Sequence, residues 1–447
     1  MVALKVHIIH VGNMSNKGTQ ALLKSDVSVI REILGEVIFF SVSTTDIQGV
    51  KRLSLPVEKV LPPIMDIPYE KADKSARKFS FDREHLRYKV FALASLFYMF
   101  VQAVFSVISI VFIKVGLHAF YRAEVIKRVK NCDFVVSCSD ENFKESASLL
   151  PLNPYWVITW WSMLVARTWE ILIARSLGKP VIMFPNSVGP FRTWVGKFLS
   201  RLSLNSCNYI LIREPVSYST VNGLKVRSHK ILTSDTALLF RSRKDVISNN
   251  SSHPIIGVSP GIYRSSLSKK EVRNYILAHA KALDMGIERY GVNVVFLPHY
   301  VTGFRYDDLE VCELIVQEMK YKERVRIVNM KTVEEFKSFS DQMDMIISSK
   351  MHPAILAVSG YVPVICIAYD HKQTSFFDHL DMNDCVISIR DISYEALLSK
   401  IDYVWAMRGK IQDLLMERVP ILQRDIRMAI KYALASLLSD LEARRGE

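Results

Sequence analysis

The stretch SSKMHPAILAVSGYVPVICIAY, residues 348–369, decides the fold class of this chain. The apolar run just before it predicts a buried strand, residues 354–358 predict a short helix, and residues 362–367 predict a second buried strand. Lys350 and His352 therefore lie where a strand ends and a helix begins. In open α/β sheets ligands bind at that point, because the helix N-terminus offers free N–H groups and a partial positive charge. The pattern favours an anionic substrate, with the imidazole placed for proton transfer.

The same alternation of strands and helices runs along most of the chain. It begins with a strand at 5–11, a loop at 12–18 and a helix at 19–33, which is the start of a parallel βαβ pattern. We therefore predict an α/β protein built of two halves. The predicted boundaries are an N-terminal domain at 1–244, a linker at 245–254, a second domain at 255–390 and a C-terminal helical segment at 391–447.

The composition is that of a globular protein whose basic charge is unevenly distributed. Apolar residues make up 49% of the chain and charged residues 23%, which is enough apolar content for a large core. The net charge is +13, and residues 71–130 contribute +8 of it, with 12 Lys/Arg against 4 Asp/Glu. No nucleic-acid-binding module is recognisable, so nucleic acid is not an expected partner. The charge favours an anionic membrane surface instead.

An uncharged apolar segment lies inside this basic region, at 90–113. As a helix it would be about 36 Å long, which is enough to cross a bilayer. A single crossing would separate the strands expected at 5–11 and 134–137, which look like members of one sheet. We therefore predict that the segment dips into one leaflet, with a buried core helix and a true span as the alternatives. Residues 50–130 are accordingly predicted to be a membrane-associating insertion of the first domain.

The cysteines and the N-terminus indicate the cytoplasm. The six cysteines form no Cys-x-x-Cys pair, which indicates reduced structural thiols, with metal ligation by Cys132 and Cys138 as the alternative. Residues 2–11 form a strand-like run that leads into a loop, unlike a signal peptide. We therefore expect a cytoplasmic protein, peripheral on the inner face of the cell membrane.

Six short motifs, in their order along the chain, resemble those of the polysaccharide pyruvyl transferase family. Each motif alone is weak, and the resemblance rests on their order and spacing over most of the chain outside 50–130. The motifs are the loop GNMSNKGTQA at 12–21, NSVGPF at 186–191, REPVS at 213–217, SDTA at 234–237, LPH at 297–299 and KMH at 350–352.

The resemblance implies a GT-B-like fold, in which two Rossmann-type domains face a cleft. It also implies that phosphoenolpyruvate gives its pyruvyl group to sugar hydroxyls of a cell-surface polysaccharide or its lipid-linked precursor, with release of phosphate. Phosphoenolpyruvate is then a donor substrate, and neither a cofactor nor a metal is implied. Two positions depart from the family pattern: Lys350 replaces an arginine, and residues 137–143 replace a glycine-rich turn. Lysine keeps the charge but loses the bidentate fork of arginine.

Side chains at strand ends are the candidates for binding and protonating this donor. Arg213 and Lys350 are the predicted cations, because phosphoenolpyruvate is a polyanion. The alternatives are an ion pair of Arg213 with an acid such as Glu214, and an ordinary exposed position for Lys350. His352 is the first candidate for the general acid, unless it caps or packs against its helix. His299 is the second candidate, or a ligand of the phosphate or the acceptor.

The remaining candidates concern the acceptor and the N-terminal loop. Asp235 is predicted to be the acceptor-side base, unless it caps the turn that follows it. Asn13, Asn16 and Gly18 are predicted to line the loop of the first domain and to present main-chain N–H groups to sugar or phosphate, unless they form a plain tight turn. The carboxylate pair at 140–141 is a candidate for holding acceptor hydroxyls.

Two other functions fit the same sequence. A glycosyltransferase with a nucleotide-sugar donor would use the same architecture, although no motif offers a clear contact to a nucleotide base. A homologue that had lost the arginine and the glycine-rich turn would bind glycans without catalysis. Binding of phosphoenolpyruvate, of uridine diphosphate or of neither ligand separates the three functions.

Overall fold

The structure is a computed structural model that describes residues 3–35, 37–67, 86–117, 120–145, 154–242, 253–262, 267–303 and 307–446. Most of the predicted linker at 245–254, and the basic residues 71–85, lie outside the described residues. Two parallel sheets follow one another along the chain, as the alternation of strands and helices predicts.

The first sheet is parallel throughout, with the strand order β3-β2-β1-β4-β6-β7-β8 and with β5 paired to β6. The order reverses between β1 and β4, and in such sheets the carboxyl ends of the two strands at the reversal frame a crevice. Residues 50–130, predicted as an insertion, also supply β3 to this sheet. The strands are β1 Leu4–Val11, β2 Ile38–Thr44, β3 Val57–Leu61, β4 Phe134–Ser137, β5 Asp140–Phe143, β6 Val181–Val188, β7 Tyr209–Ile212 and β8 His229–Leu232.

Helices connect these strands. They are α1 Lys17–Leu34, α2 Ile47–Lys51, α3 Leu86–Lys114, α4 Ala123–Asn131, α5 Pro154–Ser176, α6 Trp194–Asn205 and α7 Pro215–Gly223. Two of them are long and apolar enough to cross a membrane, within Leu93–Lys114 and Val157–Ser176, and one third and one half of these windows, respectively, are buried inside the protein. Both helices pack against each other in the first half of the chain.

The second sheet is also parallel and has the strand order β11-β10-β9-β12-β13-β14. Counted within this half of the chain the order is 3-2-1-4-5-6, which is that of dinucleotide-binding Rossmann folds. Strands β9, β12 and β13 are buried along their whole length, as expected for a parallel sheet covered on both faces. The strands are β9 Ile255–Ser259, β10 Asn293–Phe296, β11 Val325–Ile327, β12 Met345–Ser348, β13 Val364–Ala368 and β14 Val386–Ser388.

The helices of the second half begin at well-formed caps. Ser268 and Glu271 form a capping box at the start of α8, and Thr332 and Glu335 form another at the start of α10. The long final helix corresponds to the helical segment predicted at 391–447. These helices are α8 Lys269–Tyr290, α9 Asp308–Glu318, α10 Val333–Ser340, α11 Met351–Val358, α12 His371–Asp378 and α13 Tyr394–Gly446.

The chain divides into two compact units. The first unit comprises Met1–Met14, Leu22–Asp235 and Asp425–Glu447, and the second comprises Ser15–Ala21 and Thr236–Arg424. This division differs from the boundaries predicted at 1–244, 255–390 and 391–447 in three ways. The units divide between Asp235 and Thr236 rather than at 245–254. A short piece of the N-terminal loop belongs to the second unit, and the last helix is divided between the units.

Candidate functional site

The strand order of the second unit reverses between β9 and β12, so the loops after these two strands meet. Gly261 lies in the first loop and Lys350 in the second. A Cβ atom on Gly261 would lie 2.6 Å from Cε and 3.0 Å from Cγ of Lys350. The aliphatic part of Lys350 therefore passes directly over the Gly261 backbone, which leaves no room for a side chain there.

A buried carboxylate holds the ammonium group of Lys350. Lys350 is the N-cap residue of α11, and its Nζ lies 2.6 Å from Oδ1 of Asp308. The other oxygen of Asp308 accepts hydrogen bonds from the main-chain N–H groups of His299 and Tyr300. Lys350 is 24% exposed at its side chain, whereas Asp308 is 3% exposed. The lysine is thus oriented by its partner and still reaches solvent.

His299, predicted at a strand end after β10, is buried and electrically neutral. Its Nε2 accepts a hydrogen bond of 2.9 Å from the main-chain N–H of Gly18, so the ring proton belongs on Nδ1. Burial, together with the charges of Lys17 and Lys350, holds the pKa of His299 well below its usual value. Nδ1 has no hydrogen-bond partner in the part of the chain that the structure describes. The ring therefore offers a buried N–H donor to a ligand.

The N-terminal loop contributes a lysine that the sequence analysis did not single out. Lys17 is 3% exposed, and its Nζ donates hydrogen bonds to the main-chain carbonyls of Pro298 at 3.2 Å and His299 at 2.9 Å. The pKa of Lys17 is lowered to about 8, chiefly by burial and also by the charge of Lys350, while Asp308 and Glu335 oppose the shift. An ammonium group has three N–H donors, so one remains for a ligand.

Gly18, predicted to line the loop, lies against the imidazole of His352. A Cβ atom on Gly18 would lie 2.3 Å from Nδ1 and 2.8 Å from Cβ of His352, so only glycine fits at this position. Asn16 accepts the Gly18 N–H through its side chain at 2.9 Å and pairs with Tyr300 in a short antiparallel bridge. Asn16, Gly18, His299, Lys350 and His352 are thus brought together within the second unit.

A buried tyrosine forms hydrogen bonds to both loops that follow β9 and β12. The hydroxyl of Tyr275 accepts a hydrogen bond of 3.2 Å from the N–H of Gly261 and bonds to the hydroxyl of Ser349 at 2.5 Å. Tyr275 is fully buried, and burial raises the pKa of its phenol well above the usual value. The tyrosine therefore stays protonated and acts as a positioning residue for the loops that present Gly261 and Lys350.

Arg213, the other predicted cation, lies in the first unit and is 2% exposed. Its guanidinium group lies 2.7 Å from Asp235, 3.4 Å from Glu141 and 3.4 Å from Glu214, and Nε donates to the hydroxyl of Ser187 at 2.6 Å. The ion pair that the sequence left as an alternative is therefore present, and it involves three carboxylates. Burial raises the pKa of Glu214, although Arg213 opposes that rise.

The remaining predicted residues also lie in the first unit. Asp235 is buried in its ion pair with Arg213, and Glu141 pairs in addition with Lys144. Asp140 begins β5 and lies opposite Asn186 of β6. Asn13 is exposed and belongs to the first unit, whereas Asn16 and Gly18 belong to the second. The roles of Asp235 and Asn13 stay predictions.

The first unit also contains a buried polar pair, His10 and Glu170, that the sequence did not predict. His10, near the end of β1, bonds through Nδ1 to Ser137 at 2.9 Å and through Nε2 to the carbonyl of Arg167 at 3.0 Å. Glu170 lies 3.7 Å from Nε2. Burial lowers the pKa of His10 to about 3 and raises that of Glu170 to about 7. A histidine beside the end of a predicted strand was the available signal.

The cysteines and acids of the described ranges do not suggest a metal centre. All six cysteines are buried and unpaired. No group of three or more His, Cys, Asp or Glu side chains in these ranges is arranged to hold a metal ion.

Comparisons with known proteins agree with the fold and the motifs. The family model described as polysaccharide pyruvyl transferase matches residues 32–371. The amylovoran biosynthesis protein AmsJ of Erwinia amylovora is 23% identical over 255 residues, which are 52% of this chain and 60% of that protein. The chain thus matches only three fifths of the length of this curated relative.

Solved structures similar to this chain include UDP-N-acetylglucosamine 2-epimerases and a forosaminyltransferase. A candidate UDP-N-acetylglucosamine 2-epimerase from Listeria monocytogenes has a TM-score of 0.60 at 10% identity, over 99% of this chain and 98% of that one. The Neisseria meningitidis UDP-GlcNAc 2-epimerase, bound to UDP-GlcNAc, has a TM-score of 0.55 at 10% identity, over 97% of this chain and 100% of that one. The spinosyn forosaminyltransferase SpnP has a TM-score of 0.50 at 11% identity, over 98% of this chain and 99% of that one. At such low identity these matches show the fold alone, which is GT-B-like with two Rossmann-type units.

Proposed function

The chain belongs to the polysaccharide pyruvyl transferase family, and from this premise we propose that it transfers the pyruvyl group of phosphoenolpyruvate to sugar hydroxyls. As a member of that family it is classed as a transferase. The proposed acceptor is a cell-surface polysaccharide or its lipid-linked precursor, and the second product is phosphate. The similarity to an amylovoran biosynthesis protein supports a glycan acceptor.

The observation that carries this proposal is the cationic cluster in the second unit. Lys17 and Lys350 both lie beside the His299 segment, and Asp308 is the carboxylate that faces Lys350. With His299 neutral, Lys17 and Lys350 are the cations of the cluster, and Asp308 and Glu335 are the carboxylates that act on Lys17. The buried Nδ1–H of His299 and the start of α11 add donors for an anion. A phosphate and a carboxylate on one small substrate fit this arrangement.

His352 is the proposed general acid for the transfer. Its imidazolium form gives a proton to the methylene carbon of phosphoenolpyruvate, and the neighbouring carbon becomes electron-deficient. One sugar hydroxyl attacks that carbon, and a second hydroxyl then displaces the phosphate to close a ketal. Of the two hydroxyl protons, one restores the imidazolium and the other leaves with the phosphate. Lys17 and Lys350 stabilise the negative charges of the donor throughout.

Calorimetric titration with phosphoenolpyruvate tests the donor assignment. We expect saturable binding that Lys350→Ala weakens by about 10- to 100-fold, because a hydrogen bond to a charged group is worth roughly 1.5–3 kcal/mol. Lys281→Ala, which removes an exposed lysine of α8, is the matched control and should bind as the wild type does. Uridine diphosphate is titrated in parallel.

The titration also decides between the competing functions. Binding of uridine diphosphate without phosphoenolpyruvate would indicate a glycosyltransferase, in line with the nucleotide-sugar enzymes that share the fold. A folded protein that binds neither ligand would indicate a glycan-binding homologue without catalysis. Equal binding by the wild type and Lys350→Ala would remove Lys350 from the donor site.

The pH dependence of binding tests Lys17 separately. The pKa of Lys17 is lowered to about 8, so its positive charge is present below pH 8 and is lost above it. We expect the affinity for phosphoenolpyruvate to fall above pH 8 by up to about tenfold per pH unit, because binding then requires the uptake of one proton. In Lys17→Met the fall in affinity above pH 8 should be absent, and the affinity at pH 7 should be lower than that of the wild type. An unchanged pH profile in Lys17→Met would contradict a direct role.

The proposed location is the inner face of the cell membrane, where a lipid-linked acceptor would be presented. The net charge of +13 and the apolar helix α3 support this location. The enzyme would then be a cytoplasmic protein that binds the membrane peripherally.

A further inference from the structure

The polar side chains of helix α3 lie on its inner face, which is unusual for a helix at the surface of a water-soluble protein. The polar side chains along its described length face the body of the first unit: Ser95, Gln102, Ser106 and Ser109 are all at most 4% exposed. A helix on the surface of a globular protein normally turns its apolar stripe inward and its polar face to water. In α3 the four polar side chains instead lie on the inner face, beside the buried apolar Met99, Ile110 and Ile113, and the outer face is not adapted to water.

The outer face of α3 is apolar along the part of the helix between 93 and 111 that the structure describes. Phe97 and Phe100 are 71% and 67% exposed, and no charged residue occurs between 90 and 113. Six of the exposed apolar side chains, at 93, 97, 100, 104, 107 and 111, follow at intervals of four and three residues, which places them on one side of the helix. These residues, which we call the outer face, are Val90, Leu93, Leu96, Phe97, Tyr98, Phe100, Val104, Phe105, Val107 and Val111.

The inner face is held by hydrogen bonds to the body of the unit. Gln102 accepts from the main-chain N–H of Asp66 and from the hydroxyl of Tyr121, both at 2.8 Å. Ser106 accepts from the indole N–H of Trp169 at 2.8 Å, and Ser109 donates to the carbonyl of Tyr121. These contacts would all be lost if the helix left the protein to cross a bilayer.

The sheet topology also excludes a crossing by α3. Strand β3 precedes the helix and β4 follows it, and both strands belong to the same hydrogen-bonded sheet through β1 and β2. One crossing would place them on opposite sides of a membrane. Of the three possibilities that the sequence left open, a span is therefore ruled out, and a fully buried core helix is ruled out by the exposure of the outer face.

The width of the outer face and the basic charge of the sequence around α3 indicate that a lipid leaflet, rather than another helix, covers this face. Side chains that succeed one another on the helix, such as Leu96, Phe97 and Tyr98, are all exposed, so the apolar surface is broader than the narrow seam of a paired helix. The basic region at 71–130 carries +8, and Lys114 ends the helix. A broad apolar face beside cations matches the acyl chains and headgroups of an anionic leaflet.

We propose that the outer face of α3 inserts into one leaflet of an anionic bilayer, with the helix lying in the plane of the interface. This inference deepens the proposed function and rests on it for the membrane location, and it names the surface and the lipid chemistry. Insertion to a depth of about 5–10 Å buries the outer face while the inner face keeps its hydrogen bonds. Lys114, at the end of the helix, then lies near the headgroups.

Co-flotation of the full chain with vesicles tests the insertion. The vesicles contain phosphatidylcholine alone or phosphatidylcholine mixed with phosphatidylglycerol. We expect binding to the mixed vesicles that weakens with salt, and a loss of about 100-fold or more in the double variant Phe97→Asp/Phe100→Asp, because two phenyl groups no longer enter the acyl region. Trp194→Asp/Phe198→Asp changes two exposed aromatic residues of α6 and is the matched control, expected to bind as the wild type does.

Three results would overturn the proposal. They are a wild-type protein that does not float with mixed vesicles, an equal loss of binding in both double variants, and a wild-type dimer in solution that Phe97→Asp/Phe100→Asp converts to monomer. The last result would make the outer face a contact between copies of this chain. Titration of the same variants with phosphoenolpyruvate keeps the tests separate, because a failure of lipid binding leaves donor binding intact.

Discussion

Replacement of Arg213 by methionine lowers the free energy of unfolding by about 3–5 kcal/mol, because breaking a buried ion pair leaves uncompensated charge. The wild-type guanidinium lies among the carboxylates of Asp235, Glu141 and Glu214, and its side chain has no solvent exposure. Methionine has a comparable length, so the loss comes from charge rather than from a cavity. Urea-induced unfolding, followed by tryptophan fluorescence, measures the change.

The matched control is Arg273→Met. Arg273 forms one ion pair with Glu318 and is 61% exposed, so its loss should cost at most about 1 kcal/mol. A variant Arg213→Met that unfolds like the wild type and yet no longer binds phosphoenolpyruvate would contradict the structural role. Arg213 would then be the donor ligand that the sequence predicts.

The position of Arg213 shows what the sequence could and could not supply. Its place at the end of a buried strand was predictable, since the run before it is apolar and β7 ends at Ile212. Only Glu214 is adjacent in sequence, whereas Glu141 and Asp235 reach the guanidinium through the fold of the sheet. The number of carboxylates around a buried cation is a property of tertiary packing, and local patterns do not carry it.

The cationic cluster of the second unit likewise depends on contacts that the local sequence does not show. Lys350 was placed correctly between a strand and a helix, because both elements give strong local signals, and β12 ends at Ser348. Helix α11 begins at Met351, three residues before the predicted start at 354, so His352 lies inside the helix rather than before it. Lys17 was missed because the carbonyls that it binds are 281 and 282 positions away along the chain. The available signal was one lysine in a loop of small polar residues, at the start of a helix.

Helix α3 could be recognised from the sequence but not oriented. The absence of charge between 90 and 113 is visible in the printed sequence, whereas the inward direction of Gln102 and the serines is not. Those polar residues recur at intervals of seven, four and three, so the sequence places them on one face of the helix. It does not show that this face is the inner one, because their partners come from other segments, such as Tyr121 and Trp169. The strand β5 was missed for a related reason, since Asp140–Phe143 has only one large apolar side chain.

Replacement of His352 by glutamine lowers kcat by about 10²- to 10⁴-fold, which is the usual contribution of a positioned general acid. Glutamine keeps a polar side chain at the start of α11 but cannot give a proton to carbon. Because Lys17, Lys350 and the His299 N–H remain, we expect the affinity for phosphoenolpyruvate to change by less than about tenfold. Phosphate release in the presence of a cell-envelope glycan fraction measures kcat, and calorimetry measures the affinity.

The split between kcat and affinity distinguishes an acid from a binding residue. His229→Gln changes an exposed histidine of the first unit and should leave both quantities unchanged. A loss of affinity as large as the loss of kcat would make His352 a donor ligand, and its contact with Gly18 would then serve to shape the binding loop. Full activity in His352→Gln would transfer the search for the acid to another group. Among the residues described, His299 could not take that role as an imidazolium, because burial keeps its pKa far below neutrality.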